Sequence, residues 1–358
     1  METQERFYDL VSGRKTGIAA QLLRGGLQFL EIPYCSIVSV RNTLYDRRIL
    51  PIHRFSAPII SVGNLTLGGT GKSPMVGWLC RFFLEQNMRP GLISRGYGKG
   101  KNEGNDEFLE MSRRFPTVPH IQYRDRAKAI QQLLQTKQVD ILILDDAFQH
   151  RQVARNIDMV LLDATAPFGF EHVFPRGTLR ESLGSLGRAN MGLLTRSNLV
   201  SEAERQEIRR RVLSINPNII WGETVHEPTS LVSLESFDVT PIESVSGQSA
   251  LAFCGIGNPA AFRHTLEQCG VRVADLIPFP DHYHYTSGDL KHLGRSAKEL
   301  GVDLLLCTMK DLVKLDRSVG TGLPLWAVSI EIRFTAGESL VCEHLGSLRY
   351  SCESENLE

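Results

Sequence analysis

The chain carries no excess charge of either sign: among its 358 residues, 40 Lys and Arg are met by 40 Asp and Glu. A dedicated nucleic-acid-binding domain is visibly basic, so no nucleic-acid partner is expected. The low apolar content and charge imbalance of disordered chains are missing too, since 42% of residues are hydrophobic and 22% charged. Seven cysteines, Cys35, Cys80, Cys254, Cys269, Cys307, Cys342 and Cys352, form no CxxC pair. Their odd number and scatter argue against a zinc site or a disulfide framework and suit a reducing cytoplasm. Residues 1–16 are polar and hold no apolar core of a signal peptide. A membrane-spanning run is missing as well. From Gly17 to Tyr45 the chain is largely apolar, but Arg24, Glu31 and Arg41 interrupt it, short of the ~20 residues that cross a bilayer. The length suits two domains.

The same Gly17–Tyr45 stretch is amphipathic. Ile18, Leu22, Gly26 and Phe29/Leu30 recur at helical spacing, as do Ile37, Val40 and Leu44 beyond an expected break at Pro33. Between Leu10 and Ile60, Arg14, Lys15, Arg24, Arg41, Arg47, Arg48 and Arg54 face only Glu31 and Asp46. Two readings fit this pattern: a helix packed on its own domain, or an interfacial helix on an anionic membrane surface.

The strongest chemical signal follows. Ala57 to Gly63 is apolar and β-branched, as a buried strand requires. Asn64 to Ser73 reads N-L-T-L-G-G-T-G-K-S, and Met75 to Leu84 has helical patterning. Strand, glycine-rich loop and helix form a P-loop, in which backbone amides and the helix N-terminus bind phosphate oxygens. Thr66, Leu67, Gly68, Gly69, Thr70, Gly71, Lys72 and Ser73 are therefore the candidate nucleotide-binding residues. Lys72 is to reach the β- and γ-phosphates and Ser73 to ligate magnesium. The pattern GxxxxGK[ST] asks for glycine where this chain has Thr66.

A P-loop needs an apolar strand ending in acid, and Ile141 to Leu144 deliver Asp145 and Asp146 at a carboxyl end, where ligands of open α/β sheets sit. Asp145 is the candidate second metal ligand, with Asp146 beside it, although the spacing leaves open which of the two touches the ion. Gln149 and His150 follow as residues that line the same site. Arg95, Arg176 and Arg180 are candidates for phosphate groups of nucleotide or substrate, because guanidinium pairs bidentately with phosphate.

Further strands are expected at Gly91–Ser94, Met159–Asp163 and Met191–Thr195, with a surface helix over Ser201–Leu213. The polar stretch 228–248 reads as a linker. Ala250–Gly257, Asp303–Cys307 and Leu325–Val328 then open a second α/β unit. The expected fold is a P-loop NTPase-like, doubly wound, mostly parallel α/β sheet with a smaller α/β domain and an amino-terminal amphipathic helical segment. Its divisions are an N-terminal segment over 1–56, a P-loop domain over 57–227, the linker, a C-terminal domain over 249–335, and a tail over 336–358 free to return to the linker.

The run from Ser61 to Pro74 resembles the P-loop of the tetraacyldisaccharide 4'-kinases, the lipid A 4'-kinases, in which Ser or Thr replaces the first glycine. Ser94-Arg-Gly-Tyr-Gly98, Asp145-Asp-Ala-Phe-Gln-His150, Arg176-Gly-Thr-Leu-Arg-Glu181, Phe279-Pro-Asp-His282 and Thr308-Met-Lys-Asp311 resemble further motifs of that family, in family order. The resemblance covers about residues 17–335. Ala147 stands where the family has glycine, and Asn105 and Phe108 flank Asp106-Glu107 where it has Gly and Pro.

The resemblance implies ATP- and Mg2+-dependent phosphorylation of the 4'-hydroxyl of an acylated glucosamine disaccharide 1-phosphate. It also implies a peripheral enzyme on the cytoplasmic face of the inner membrane, which favours the membrane reading of Gly17–Tyr45. A catalytic dyad maps to Asp106 and His282, expected in different domains, with the carboxylate taking the hydroxyl proton and the imidazole supporting it. Two other classes share parts of the pattern. A P-loop GTPase or metallochaperone ATPase shares Gly71-Lys72-Ser73, but in Thr308-Met309-Lys310-Asp311 the lysine comes one place too late for a guanine-reading motif. A nucleotide-gated membrane adaptor is the non-enzyme alternative.

Overall fold

Short aliphatic and β-branched runs alternate with helices through most of the chain, the pattern that builds parallel sheets. A computed structural model describes residues 2–96, 106–280 and 283–354. Helices α1 (Glu2–Val11) and α2 (Ile18–Asp46) precede strand β1 (Ile59–Asn64) and helix α3 (Lys72–Glu85). Next come β2 (Pro90–Ser94), α4 (Asp106–Arg114), β3 (His120–Gln122), α5 (Arg126–Thr136), β4 (Ile141–Asp145) and β5 (Ile157–Asp163). Strand β6 (Met191–Thr195), α6 (Glu202–Ile215), β7 (Ile220–Ser233), β8 (Val239–Pro241) and β9 (Ser249–Cys254) follow. The remainder is α7 (Pro259–Gln268), β10 (Arg272–Pro278), α8 (Ser287–Leu300), β11 (Leu304–Thr308), α9 (Met309–Leu312), β12 (Leu325–Ala336) and α10 (Glu338–Ser354).

The chain divides into two compact units. The P-loop unit takes residues 2–96, 115–226 and 332–354 of the described chain. Its strands lie in the order β3-β2-β4-β1-β5-β6-β7, all parallel. Strand β1 is central, pairing Val62 with Asp145 of β4 and with Met159 of β5. Every residue of β1, β2, β4 and β6 is buried, as in sheets covered on both faces. Strand order reverses at β1, so the loops after β1 and β4 flank a topological switch point, where such sheets bind ligands.

The C-terminal unit takes residues 227–331 together with α4. Its strands run β10-β9-β11-β12 in parallel, and β8 pairs antiparallel with the end of β7. Leu251, Phe253, Leu290, Leu293, Leu305 and Ala327 form one of its core clusters.

Three expectations need correction. The stretch 228–248 is not a linker: it continues β7, contains β8, and buries Leu231, Ile242 and Val245. Glu235, Ser236, Asp238, Glu243, Ser244 and Ser246 are exposed, and the few apolar residues suffice to anchor the stretch. Helix α4, expected within the P-loop domain, groups with the C-terminal unit. Its Asp106 lies 3.3 Å from Lys314 and its Arg114 3.1 Å from Glu331, while Arg113 stacks over the Phe237 ring. Thirdly, Pro33 does not break the amino-terminal helix, which continues through it as α2. A proline there leaves the carbonyl four residues earlier unpaired, and that residue, Phe29, is 75% exposed, so water can serve it. The tail also has a defined place, since α10 groups with the P-loop unit and buries Val341 and Leu345.

Candidate phosphoryl-transfer site

The loop after β1 is held by the rest of its unit. Leu67 N–H donates to the Thr178 carbonyl at 2.7 Å, and Thr195 Oγ1, at the end of β6, donates to the Thr70 carbonyl at 3.0 Å. Thr66 is buried and bridges Leu179. It is not among the positive-φ residues, so nothing in its backbone demands the glycine that the P-loop pattern asks for. Gly68 and Gly71 do need to be glycine, with φ of +111° and +87°. Gly71 caps α3 in the left-handed conformation, so Lys72 and the buried Ser73 start the helix. Leu67, Gly68 and Gly69 remain exposed.

Lys72 is gathered into the site. Its Nζ lies 3.4 Å from Asn64 Oδ1 and 3.6 Å from Asp146 Oδ1. Asn64 also donates from Nδ2 to the Thr66 carbonyl at 2.8 Å, so it ties the strand end to the loop and to the lysine. Asp146 adopts φ +48°, a left-handed turn that Asp tolerates better than most residues. Arg126 Nη2 donates to the carbonyls of Asp145 and Asp146 at 3.1 and 2.9 Å and fixes that turn. Burial opposes ionisation of Asp146, but Lys72, Arg180 and Arg126 outweigh it and hold the carboxyl below the usual range.

Arg180, expected to face phosphate, pairs with Asp146 at 2.9 Å. Gln149 Nε2 donates to the Asn64 carbonyl at 2.9 Å and to Glu181 Oε1 at 3.0 Å. It therefore braces the end of β1. His150 has a buried Nε2 without a hydrogen-bond partner among the described residues, and burial, aided by Arg126, Arg155 and Arg95, lowers its pKa to about 4. Arg176 Nη1 donates to the Val11 carbonyl at 3.2 Å, and Arg95 is exposed.

Asp106 is 8% exposed and lies in the C-terminal unit. His282, like Tyr97, Gly98 and Asn105, lies outside the described residues.

Among the described residues, no group of three or more His, Cys, Asp or Glu is placed to hold a metal ion by itself. Ser73 and Asp145 nevertheless suit magnesium: both are oxygen donors, and the register Val62↔Asp145 puts the end of β4 beside the end of β1. Mg2+ commonly takes one or two protein oxygens and completes its shell with phosphate and water.

Several residues of the site escaped sequence reasoning. Asn64 closes an otherwise apolar strand, a signal that could have marked it. Glu181 is 1% exposed and accepts from Arg188, Ser185, Asn42 and Gln149; its place at the end of Arg176-Gly-Thr-Leu-Arg-Glu181 was the signal the sequence offered. His226, whose ring packs against Gly71, had no local signal at all.

The chain matches the family model for tetraacyldisaccharide-1-P 4'-kinase, LpxK, over residues 23–346. It is 36% identical over 344 residues to the tetraacyldisaccharide 4'-kinase of Syntrophus aciditrophicus, covering 89% of this chain and 91% of that protein. The same enzyme of Anaeromyxobacter sp. strain K is 33% identical, with 85% of each chain covered. The crystal structure of LpxK from Aquifex aeolicus in complex with ATP superposes with a TM-score of 0.71 at 27% identity, covering 92% of this chain and all of that one.

Proposed function

From the chain's membership of the tetraacyldisaccharide-1-P 4'-kinase family, we infer that it transfers the γ-phosphoryl group of ATP to the 4'-hydroxyl of an acylated glucosamine disaccharide 1-phosphate, a step in lipid A synthesis. The observation that carries this reading is Lys72 Nζ held between Asn64 and Asp146 at the start of α3. That arrangement presets a cation where a P-loop presents one to the β- and γ-phosphates. In the transfer, the 4'-oxygen bonds to the γ-phosphorus as the bridging β–γ oxygen–phosphorus bond breaks and ADP leaves. Lys72 and the loop amides stabilise the charge that develops on the phosphoryl oxygens. Ser73 and Asp145 would hold Mg2+, which neutralises phosphate charge when bound. Asp106, with His282, takes the hydroxyl proton.

Attachment to the membrane is part of the same reading. No helix among the described residues is long and apolar enough to cross a membrane. On α2, polar side chains face the protein: Glu31 accepts from the Val173 N–H, Tyr34 OH donates to the Arg180 carbonyl, and Asn42 donates to Glu181. Ile18, Leu22, Phe29, Ile37 and Val40 are all more than half exposed. An apolar stripe turned outward supports peripheral attachment to an anionic membrane surface; the cytoplasmic face of the inner membrane is what membership of the family implies.

Lys72→Ala tests the nucleotide half. Lipid-dependent ATP consumption should fall by about three orders of magnitude or more while the thermal melt stays near that of the parent protein. Near-normal turnover in the folded variant overturns the assignment.

A further inference from the structure

The acidic start of α4 meets two lysines one helical turn apart. Lys310 Nζ lies 3.6 Å from Glu107 Oε1, and Lys314 Nζ lies 3.3 Å from Asp106 Oδ2. Lys314 is the more enclosed, with 4% of its side chain exposed, and it also lies 3.3 Å from Asp311 Oδ1. Asp311 is itself fixed. It is fully buried and accepts from the Gly255 N–H at 3.0 Å, the Tyr285 hydroxyl at 2.9 Å and Thr308 Oγ1 at 2.6 Å. The Tyr285 ring covers Lys314 from another side, its centroid 5.5 Å from Nζ. Lys314 is thus an ammonium group with one immobile carboxylate behind it and Asp106 in front.

We propose that Lys314 is a positioning residue for phosphoryl transfer, holding Asp106 in place and ionised so that it can accept the proton of the attacking hydroxyl. The proposal rests on the reading of Asp106 as that acceptor. The need for such a cation follows from the surroundings. Asp106 is nearly buried, with Glu107 and Glu110 on its own helix and Lys310, Asp311, Lys314 and Tyr285 on the segments beside it. Glu110 shows what the setting does to a carboxyl group. Burial pushes it up, and Lys310 and Arg114 only partly oppose burial and the neighbouring charges of Glu107 and Asp106. A protonated Asp106 has no vacancy for the hydroxyl proton, so a cation within salt-bridge distance is worth most here.

The test uses the full-length enzyme with ATP and acylated disaccharide, comparing Lys314→Met, Lys314→Arg and Asp106→Asn. Lys314→Met should lower kcat at neutral pH by about tenfold or more and move the acidic limb of the kcat profile upward by about one pH unit or more. KM for ATP should change little, and Lys314→Arg should restore the limb. An acidic limb that stays in place in Lys314→Met, whether kcat is normal or uniformly reduced, overturns the proposal. Near-normal kcat in Asp106→Asn overturns the proton-acceptor reading, and the proposal with it. If Asp106→Asn is inactive but Lys314→Met keeps its limb, only the role of Lys314 fails. Should Lys314→Met not fold, Lys314→Gln, which keeps a hydrogen-bond donor toward the buried Asp311 but removes the charge facing Asp106, takes its place and should show the same upward shift of the acidic limb. A limb that stays in place in the folded Lys314→Gln enzyme also overturns the proposal.

Discussion

An alanine at position 71 would have to adopt φ of +87°, and its Cβ would lie 2.5 Å from His226 Nε2. A left-handed backbone costs a non-glycine residue roughly 1–2 kcal/mol, and the imidazole must also move. Gly71→Ala should therefore destabilise the protein by about 2 kcal/mol or more in denaturant melts and raise KM for ATP. Gly69→Ala, with open space around its Cβ and no positive φ, should change stability by no more than about 0.5 kcal/mol. His226 itself predicts a pH effect. Burial, with Arg196 adding to it, lowers its pKa to about 3, and His150 falls to about 4. In the unfolded chain both titrate near 6.5, so protons bind the unfolded state first and stability is lost as pH falls from 6.5 toward 4. Thermal melts across that range should show this slope, and it should be shallower in His226→Gln. Parallel slopes in the two proteins would show that His226 does not contribute. Lys72 and Ser73 at the start of α3 and Asp145 at the end of β4 stand where the sequence puts them, because contiguous motifs place them. The roles of His226 against Gly71 and of Arg126 beneath Asp145 arise only when distant segments meet.

Among the elements, buried strands were the most legible. β6 is found at Met191–Thr195 as read, and β1, β2, β4, β5 and β11 differ by a residue or two at their ends, because fully buried parallel strands are written as uninterrupted aliphatic runs. Pro33 and the polar stretch 228–248 misled for the same reason: local composition was taken to decide what solvent exposure and a few anchoring contacts decide instead. Periodicity located the apolar stripe of α2 but could not say which face packs on the protein. The structure turns the stripe outward, and that makes it testable. Replacing Ile18, Leu22 and Phe29 together by Gln should lower partitioning onto anionic vesicles by at least about tenfold and raise KM for the lipid substrate. These side chains are 78%, 72% and 75% exposed, so the melting temperature should barely change. Added salt should weaken the parent protein's binding, as the flanking arginines require. Vesicle partitioning equal to that of the parent would assign the stripe to something other than lipid.

For the molecule as a whole, chain order and folding units do not coincide. Helix α4 sits in sequence between strands β2 and β3 of the P-loop unit, yet it belongs with residues 227–331. No boundary drawn along the sequence could reveal this, because it depends on charge pairs such as Asp106 with Lys314 and Arg114 with Glu331. The proposed nucleotide residues Thr66–Ser73 and the proposed proton acceptor Asp106 consequently belong to different units, and the two roles carry different kinetic signatures. Asp106→Ala should lower kcat by about 10²–10⁴-fold, the usual worth of general-base catalysis, with much less effect on KM for ATP. His282→Ala should act on the same step. If the imidazole supports the carboxylate, the double variant loses far less than the product of the single losses, because residues that act as a unit are non-additive. Fully multiplicative losses would mean separate roles. A mild Asp106→Ala phenotype would move the proton-accepting role to Glu107, the adjacent carboxylate on α4, which already pairs with Lys310 at 3.6 Å.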